Sequence, residues 1–161
     1  MKIGVLSDTH IPYAARTLPQ KVLDILATMD AIIHAGDYQA RSVLEMLISL
    51  GDFYGVYGNM DPPEIRKMLP EKRVLNLEDF SIGVIHGWGS LNGLEERILA
   101  SFDTEKLDAV VYGHSHTACN KKKDDFLLFN PGSPTDTRFA KFRSIGILTL
   151  EKTITGEIIR L

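Results

Sequence analysis

Asp8 and His10 stand two residues apart in the stretch Ser7-Asp8-Thr9-His10-Ile11-Pro12, directly after the apolar run Ile3 to Leu6. A carboxylate and an imidazole in one short loop can ligate a single metal ion, because the loop is free to turn both inward. The same residues also make an ordinary turn, since Asp and Ser favour turns and Pro12 stops a helix. This pair alone leaves both readings open.

The later apolar runs repeat the pattern. Ala31 to His34 is followed by Gly36-Asp37, and Phe53 to Tyr57 by Gly58-Asn59-Met60-Asp61. Ser81 to Ile85 leads into His86-Gly87, and Ala109 to Tyr112 into Gly113-His114-Ser115-His116. Open α/β sheets build their sites outside the carboxyl ends of strands. Here five such ends each deliver a hard or borderline metal ligand. Of the five histidines, His10, His86, His114 and His116 lie beyond a run, and only His34 lies inside one, where a structural role, or one supporting the ligands from behind, is expected. Gly36, Gly58 and Gly113 adjoin the donors, as a tight turn or a close backbone approach requires. Seven donors (Asp8, His10, Asp37, Asn59, His86, His114, His116) are too many for one zinc ion and suit two metals that share a carboxylate.

The elements that must position these donors follow from periodicity. The short runs rich in Val and Ile read as buried strands. Between them, Leu18 to Met29 and Ser42 to Leu50 carry helical spacing, with Pro19 suited to a first turn. Shorter helices are predicted over Pro63 to Leu69 and Leu94 to Phe102, the latter with Asn92 as N-cap. The early chain is thus β-α-β-α-β, implying a largely parallel sheet. Later, Thr117 to Lys121 and Phe126 to Phe129 flank a charged turn, and Ser144 to Glu151 and Ile154 to Leu161 form a hairpin with Thr155-Gly156 near its bend. Two packed sheets with helices outside accommodate both halves. The expected organisation is one α/β domain over residues 1–161.

Composition narrows the class. The chain is 44% hydrophobic and 24% charged, as in an ordinary globular protein. No apolar run approaches the roughly 20 residues that span a bilayer, and no signal peptide is evident. The single cysteine, Cys119, fits a reducing cytoplasm. A net charge of −3 offers no global field for nucleic acid, and Lys121-Lys122-Lys123 is followed at once by Asp124-Asp125.

The ordered motifs Asp-x-His, Gly-Asp, Gly-Asn, His and Gly-His-x-His resemble those of the calcineurin-like metallophosphoesterase superfamily, and within it the small YfcE-like phosphodiesterases. The resemblance runs from Met1 to about Phe139 and includes Asn130-Pro131-Gly132-Ser133-Pro134. It implies a four-layer α-β-β-α sandwich of two mixed sheets. It also implies Asp8, His10, Asp37 and His116 on one metal, with Asp37, Asn59, His86 and His114 on the other and Asp37 bridging. Small members of the group often self-associate, so a homo-oligomer is an expected state.

Two divalent cations bring four positive charges and Asp8 and Asp37 return two, leaving a local excess that suits a phosphate ester. A water bridging both ions ionises near neutral pH and would attack phosphorus in line. Asn59 can ligate through its amide oxygen while its NH₂ donates to a phosphate oxygen, and Arg138 is the further candidate for substrate contact. Mixed imidazole, carboxylate and amide donors admit Mn, Fe, Co, Ni or Zn, and Mn²⁺ is the ion expected to support activity.

Met60 departs from the superfamily, where many members carry a histidine that binds phosphate or protonates the leaving group. A thioether does neither, and general acid catalysis is worth ~10²–10⁴-fold. Met60 therefore points to small phosphodiesters or activated esters and away from a general phosphomonoesterase. The lack of a basic groove argues against a nuclease acting on long chains. A retromer-subunit-like interaction scaffold with weak catalysis is the alternative of a different class. Asp61 is expected either to hold the Asn59 loop or simply to form the turn. Trp88 is expected to pack near the site mouth, and Arg16 and Arg41 are weaker phosphate candidates.

Overall fold

The computed structural model describes residues 1–161. One five-stranded sheet has the order β10-β9-β1-β2-β3, from β1 (Lys2–Leu6), β2 (Ala31–His34), β3 (Phe53–Gly55), β9 (Ser144–Leu150) and β10 (Ile154–Arg160). The other has the order β4-β5-β6-β8-β7, from β4 (Lys72–Leu77), β5 (Phe80–Ile85), β6 (Ala109–Val111), β7 (Cys119–Lys123) and β8 (Phe126–Asn130). Both are mixed: β1, β2 and β3 pair in parallel while β9 joins β1 antiparallel, and β5, β6 and β8 are parallel with antiparallel strands at both edges. The second sheet is built from one uninterrupted stretch of chain, whereas the first is completed by the C-terminal hairpin.

Alternation along the strands sets the layers. Ile3 and Val5 of β1, Ile33 of β2, Ile82 and Val84 of β5, Val111 of β6 and Phe129 of β8 meet in one cluster between the sheets. Their neighbours on the opposite faces turn outward. Leu6 and Ile32 pack under the helices α1 (Gln20–Leu26), α2 (Arg41–Ser49) and α3 (Pro63–Met68) through Val22, Leu26, Val43, Leu44, Leu47 and Ile65. Ile85, Val110 and Leu128 pack under α4 (Leu94–Ala100) through Leu94 and Ile98. The result is the four-layer sandwich. Each helix is too short to stand alone in water, so its apolar face against a sheet holds it.

The parallel core follows the reading from periodicity, with three differences. The edge strand β4 was not expected, because its sequence Lys-Arg-Val-Leu-Asn-Leu buries only Leu75 fully. The N-cap of α4 is Gly93 with φ 70°, and Asn92 instead offers its carbonyl to Arg97. The C-terminal hairpin bends at residues 151–153, which leaves Thr155-Gly156 inside β10. No helix is long and apolar enough to cross a membrane.

Candidate metal centre

The loops after β1, β2, β3, β5 and β6 meet at one end of the sandwich, so both sheets contribute to a single site. Asp8, Asp37 and Asn59 come from the first sheet with His10, and His86, His114 and His116 come from the second. Three of these loops share a backbone device. Asp8 and His10 have φ of 56° and 44°, Asp37 and Gln39 have 63° and 69°, and His114 and His116 have 67° and 55°. Left-handed conformations disfavour residues with a Cβ, by about 1–3 kcal/mol each, and persist where surroundings over-determine them. Close approach completes the packing. A Cβ on Gly58 would run into the Asp37 carboxylate, and one on Gly113 would run into Ser7 Oγ.

Each of the four histidines has one ring nitrogen engaged by an outer partner and the other turned inward. His86 Nδ1 lies 2.7 Å from the Ala35 carbonyl oxygen and His114 Nε2 lies 2.8 Å from that of Gly89. A carbonyl only accepts, so these nitrogens carry the protons. His116 Nδ1 donates likewise to the Asp136 carboxylate at 2.5 Å, and the Gln39 amide reaches His10 Nδ1 at 2.7 Å.

The inward nitrogens crowd against oxygen. His10 Nε2 and His116 Nε2 are 3.1 Å apart, and Asp8 Oδ1 lies 3.7 and 3.4 Å from them. His86 Nε2 is 3.2 Å from Asp37 Oδ2, and Asn59 Oδ1 lies 3.1 Å from His86 Nε2 and 3.0 Å from His114 Nδ1. Asp8 Oδ1 is buried with no hydrogen-bond partner, while Oδ2 of the same carboxylate accepts from the Ser7 hydroxyl and the His114 N–H. An orphaned carboxylate oxygen facing inward-turned ring nitrogens fits a divalent cation. Two groups with metal-ligand spacing result, Asp8-His10-His116 and Asp8-Asp37-His86.

Protonation alone answers part of this charge. Burial would raise the Asp8 carboxyl, but His10, His86 and His116 around it outweigh burial and hold it at about 2. Burial would lower His86, yet the Asp37 and Asp8 carboxylates push it up to about 9. The site thus attracts positive charge, from protons or from metal.

The surrounding groups were only partly legible beforehand. Asp61 is no mere turn residue. Its carboxylate accepts N–H bonds from Asp37 at 3.0 Å, Gly58 at 2.8 Å and Gln39 at 2.8 Å, tying the Asp37 and Asn59 loops together. Arg66 clamps the same turn by donating to the Asn59 and Asp61 carbonyls. His34 is fully buried against Tyr38. Its Nδ1 accepts the Gly36 N–H, so the ring is neutral with its proton on Nε2 toward Thr9. Its full burial makes it a core residue, and that burial drives its pKa down to about 3. Ser7, Gln39 and Asp136 were not anticipated; only their contacts identify them.

Arg138 lines the cavity above the cluster, a space of about 780 Å³, with its N–H on Asp136. Arg16 is exposed and Arg41 pairs with Glu45, both outside that cavity. Trp88 borders a smaller neighbouring groove with Arg66 and Asn59.

Comparison with known proteins finds related sequences and related folds. Residues 1–153 match the calcineurin-like phosphoesterase superfamily domain. A probable metallophosphoesterase of Methanocaldococcus jannaschii is 38% identical over 99% of this chain and 81% of its own length. A solved archaeal phosphodiesterase superposes with a TM-score of 0.80 at 25% identity, covering both chains fully. Chaetomium thermophilum Vps29 shares the fold, with a TM-score of 0.81 at 21% identity over 100% of this chain and 93% of that one. The chain belongs to the calcineurin-like phosphoesterase superfamily, in line with its small YfcE-like group, and is a hydrolase acting on phosphoester bonds.

Proposed function

We propose that the whole chain is one metallophosphoesterase domain, a cytoplasmic phosphodiesterase working on small phosphodiesters with two divalent ions, manganese foremost. Asp8, His10, Asp37 and His116 would hold one ion, and Asp37, Asn59, His86 and His114 the other. The observation that carries this reading is the common orientation of the four imidazoles, each engaged on its outer side and turned with its second nitrogen onto Asp8, Asp37 or Asn59. When bound, such a metal pair supplies an activated water and charge to offset that developing on the phosphoryl oxygens.

The chain's own residues do the rest. Asp37 joins the two halves of the site, with Oδ1 fixed by the Met60 N–H and Oδ2 facing His86 and His10. Asn59 presents its amide oxygen to the imidazoles, which leaves its NH₂ to orient a phosphoryl oxygen. Arg138 adds a cation at the cavity wall. Met60 lines the same cavity and brings no proton for a departing alkoxide, so diesters and esters of acidic alcohols are the favoured substrates.

The test is hydrolysis of bis-p-nitrophenyl phosphate beside p-nitrophenyl phosphate, with Mn²⁺ and with chelator, in wild type and Asp37→Asn. Diesterase activity that needs metal and vanishes in Asp37→Asn is the expected result. An absence of turnover with every divalent metal would refute it and favour an interaction role like that of a retromer subunit.

A further inference from the structure

Four of the ten large apolar side chains that remain exposed, Tyr13, Met60, Leu91 and Phe139, line the cavity over the candidate metal centre. They come from four separate loops, and their exposures run from 56% to 77%. Apolar groups gathered around one concavity, rather than scattered singly, mark a binding surface. At about 780 Å³ the space is of a size for a drug-like ligand, well beyond a bare phosphate.

The four are not mixed. Tyr13 belongs to the loop that also carries Asp8 and His10, where the His10 carbonyl accepts the Ala14 N–H, and the Phe139 ring stands edge-on to His116 at 6.1 Å. The aromatic pair therefore flanks the Asp8-His10-His116 side. Met60 follows Asn59, and Leu91 lies two residues beyond Gly89, which accepts from His114. The aliphatic pair flanks the other side. Asp136 joins the two tasks: its carboxylate holds His116 and also takes the N–H groups of Arg138 and Phe139. The ring of Phe139 and the guanidinium of Arg138, 5.6 Å from its centroid, are thus set relative to the ligand loop.

We propose that Tyr13 and Phe139 form a subsite for a planar ring in one ester arm of the substrate, an aryl group or a nucleobase. This rests on the phosphodiesterase reading and adds the substrate class. Rings favour aromatic walls through offset or edge contacts, and stacking of a base on such side chains is sequence-tolerant and strong.

The test uses phosphonates, which bind without turnover, titrated into the Mn²⁺-loaded protein by calorimetry. Methylphosphonate reports the phosphoryl site alone. Phenylphosphonate, thymidine 5′-phosphonate and cyclohexylphosphonate add an aryl ring, a nucleoside and a non-planar apolar ring. Phenyl or thymidine binding at least about tenfold tighter than methyl is expected, with the better of the two naming the source of the ring. The double variant Tyr13→Ser, Phe139→Ser, altered only at exposed positions, is expected to bring that ratio below about twofold. Cyclohexyl binding as tight as phenyl overturns planarity, and a wild-type ratio near one overturns the subsite, both leaving the phosphodiesterase reading intact. Failure of every phosphonate, methyl included, removes the phosphoryl site and the subsite with it.

Discussion

Replacing Asp61 separates the role of a buried support from that of a metal ligand. Its carboxylate takes three backbone N–H groups, from Asp37 and Gly58 on Oδ2 and from Gln39 on Oδ1, at 2.8–3.0 Å and out of water. Asp61→Ala strands all three donors. At about 1–3 kcal/mol for each buried unsatisfied group, the loss is about 5 kcal/mol. Asp61→Asn keeps the shape but sets its NH₂ against at least one N–H donor and removes the charge from the others, for about 2–3 kcal/mol. In a chain of this size each kcal/mol shifts Tm by roughly 2–4 °C. Thermal unfolding in chelator should then place Asp61→Asn about 5–10 °C below wild type and Asp61→Ala roughly twice as far. Mn²⁺ titration by calorimetry should show affinity reduced about 10–100-fold in Asp61→Asn, the range found for groups that orient ligands. An Asp61→Asn protein as stable as wild type and with unchanged Mn²⁺ affinity would refute the claim that this carboxylate organises the site.

Four further outcomes are expected. His34 is neutral in the fold with a pKa of about 3 but takes a proton near 6.5 when unfolded, so stability should fall as pH drops below 6.5, by about 2 kcal/mol at pH 5; denaturant unfolding across this range should show a flat acid limb in His34→Gln. His86 has the opposite sign: its raised pKa contributes stability that is complete below 6.5 and lost as pH rises through about 9, up to roughly 3 kcal/mol. That alkaline loss should be seen in chelator and reversed with Mn²⁺, because metal competes with the protons. Asp136→Asn should present an NH₂ to His116 Nδ1 and favour the proton on Nε2, lowering Mn²⁺ affinity about 10–100-fold by calorimetry. Met60→His should raise the ratio of p-nitrophenyl phosphate to bis-p-nitrophenyl phosphate turnover, and an unchanged ratio would separate position 60 from leaving-group chemistry.

The strand ends were legible because Val- and Ile-rich runs stop abruptly at Gly, Asp, Asn or His, and a parallel sheet aligns such ends. All seven candidate donors fall within one cluster for that reason. The strand β4 was hidden because its edge position leaves Lys72 and Val74 in water, so no buried run marks it. The supporting groups were hidden for another reason. Gln39 meets His10 across 29 residues, Asp136 meets His116 across 20, and Asp61 meets Asp37 across 24. In sequence, each is only a polar residue in a loop.

The division of the chain into two sheets also divides the candidate donors by chemistry. The candidate oxygen donors, Asp8, Asp37 and Asn59, all belong to the first sheet, while three of the four candidate imidazoles project from the second, which occupies one continuous segment from β4 to β8. Carboxylate and amide oxygens suit manganese and imidazole suits zinc, iron and nickel. Metal preference in this architecture can therefore drift through changes in one segment while the other keeps its role. A hybrid joining the β4–β8 segment of one relative to the frame of another would carry nitrogen donors and oxygen donors of separate ancestry.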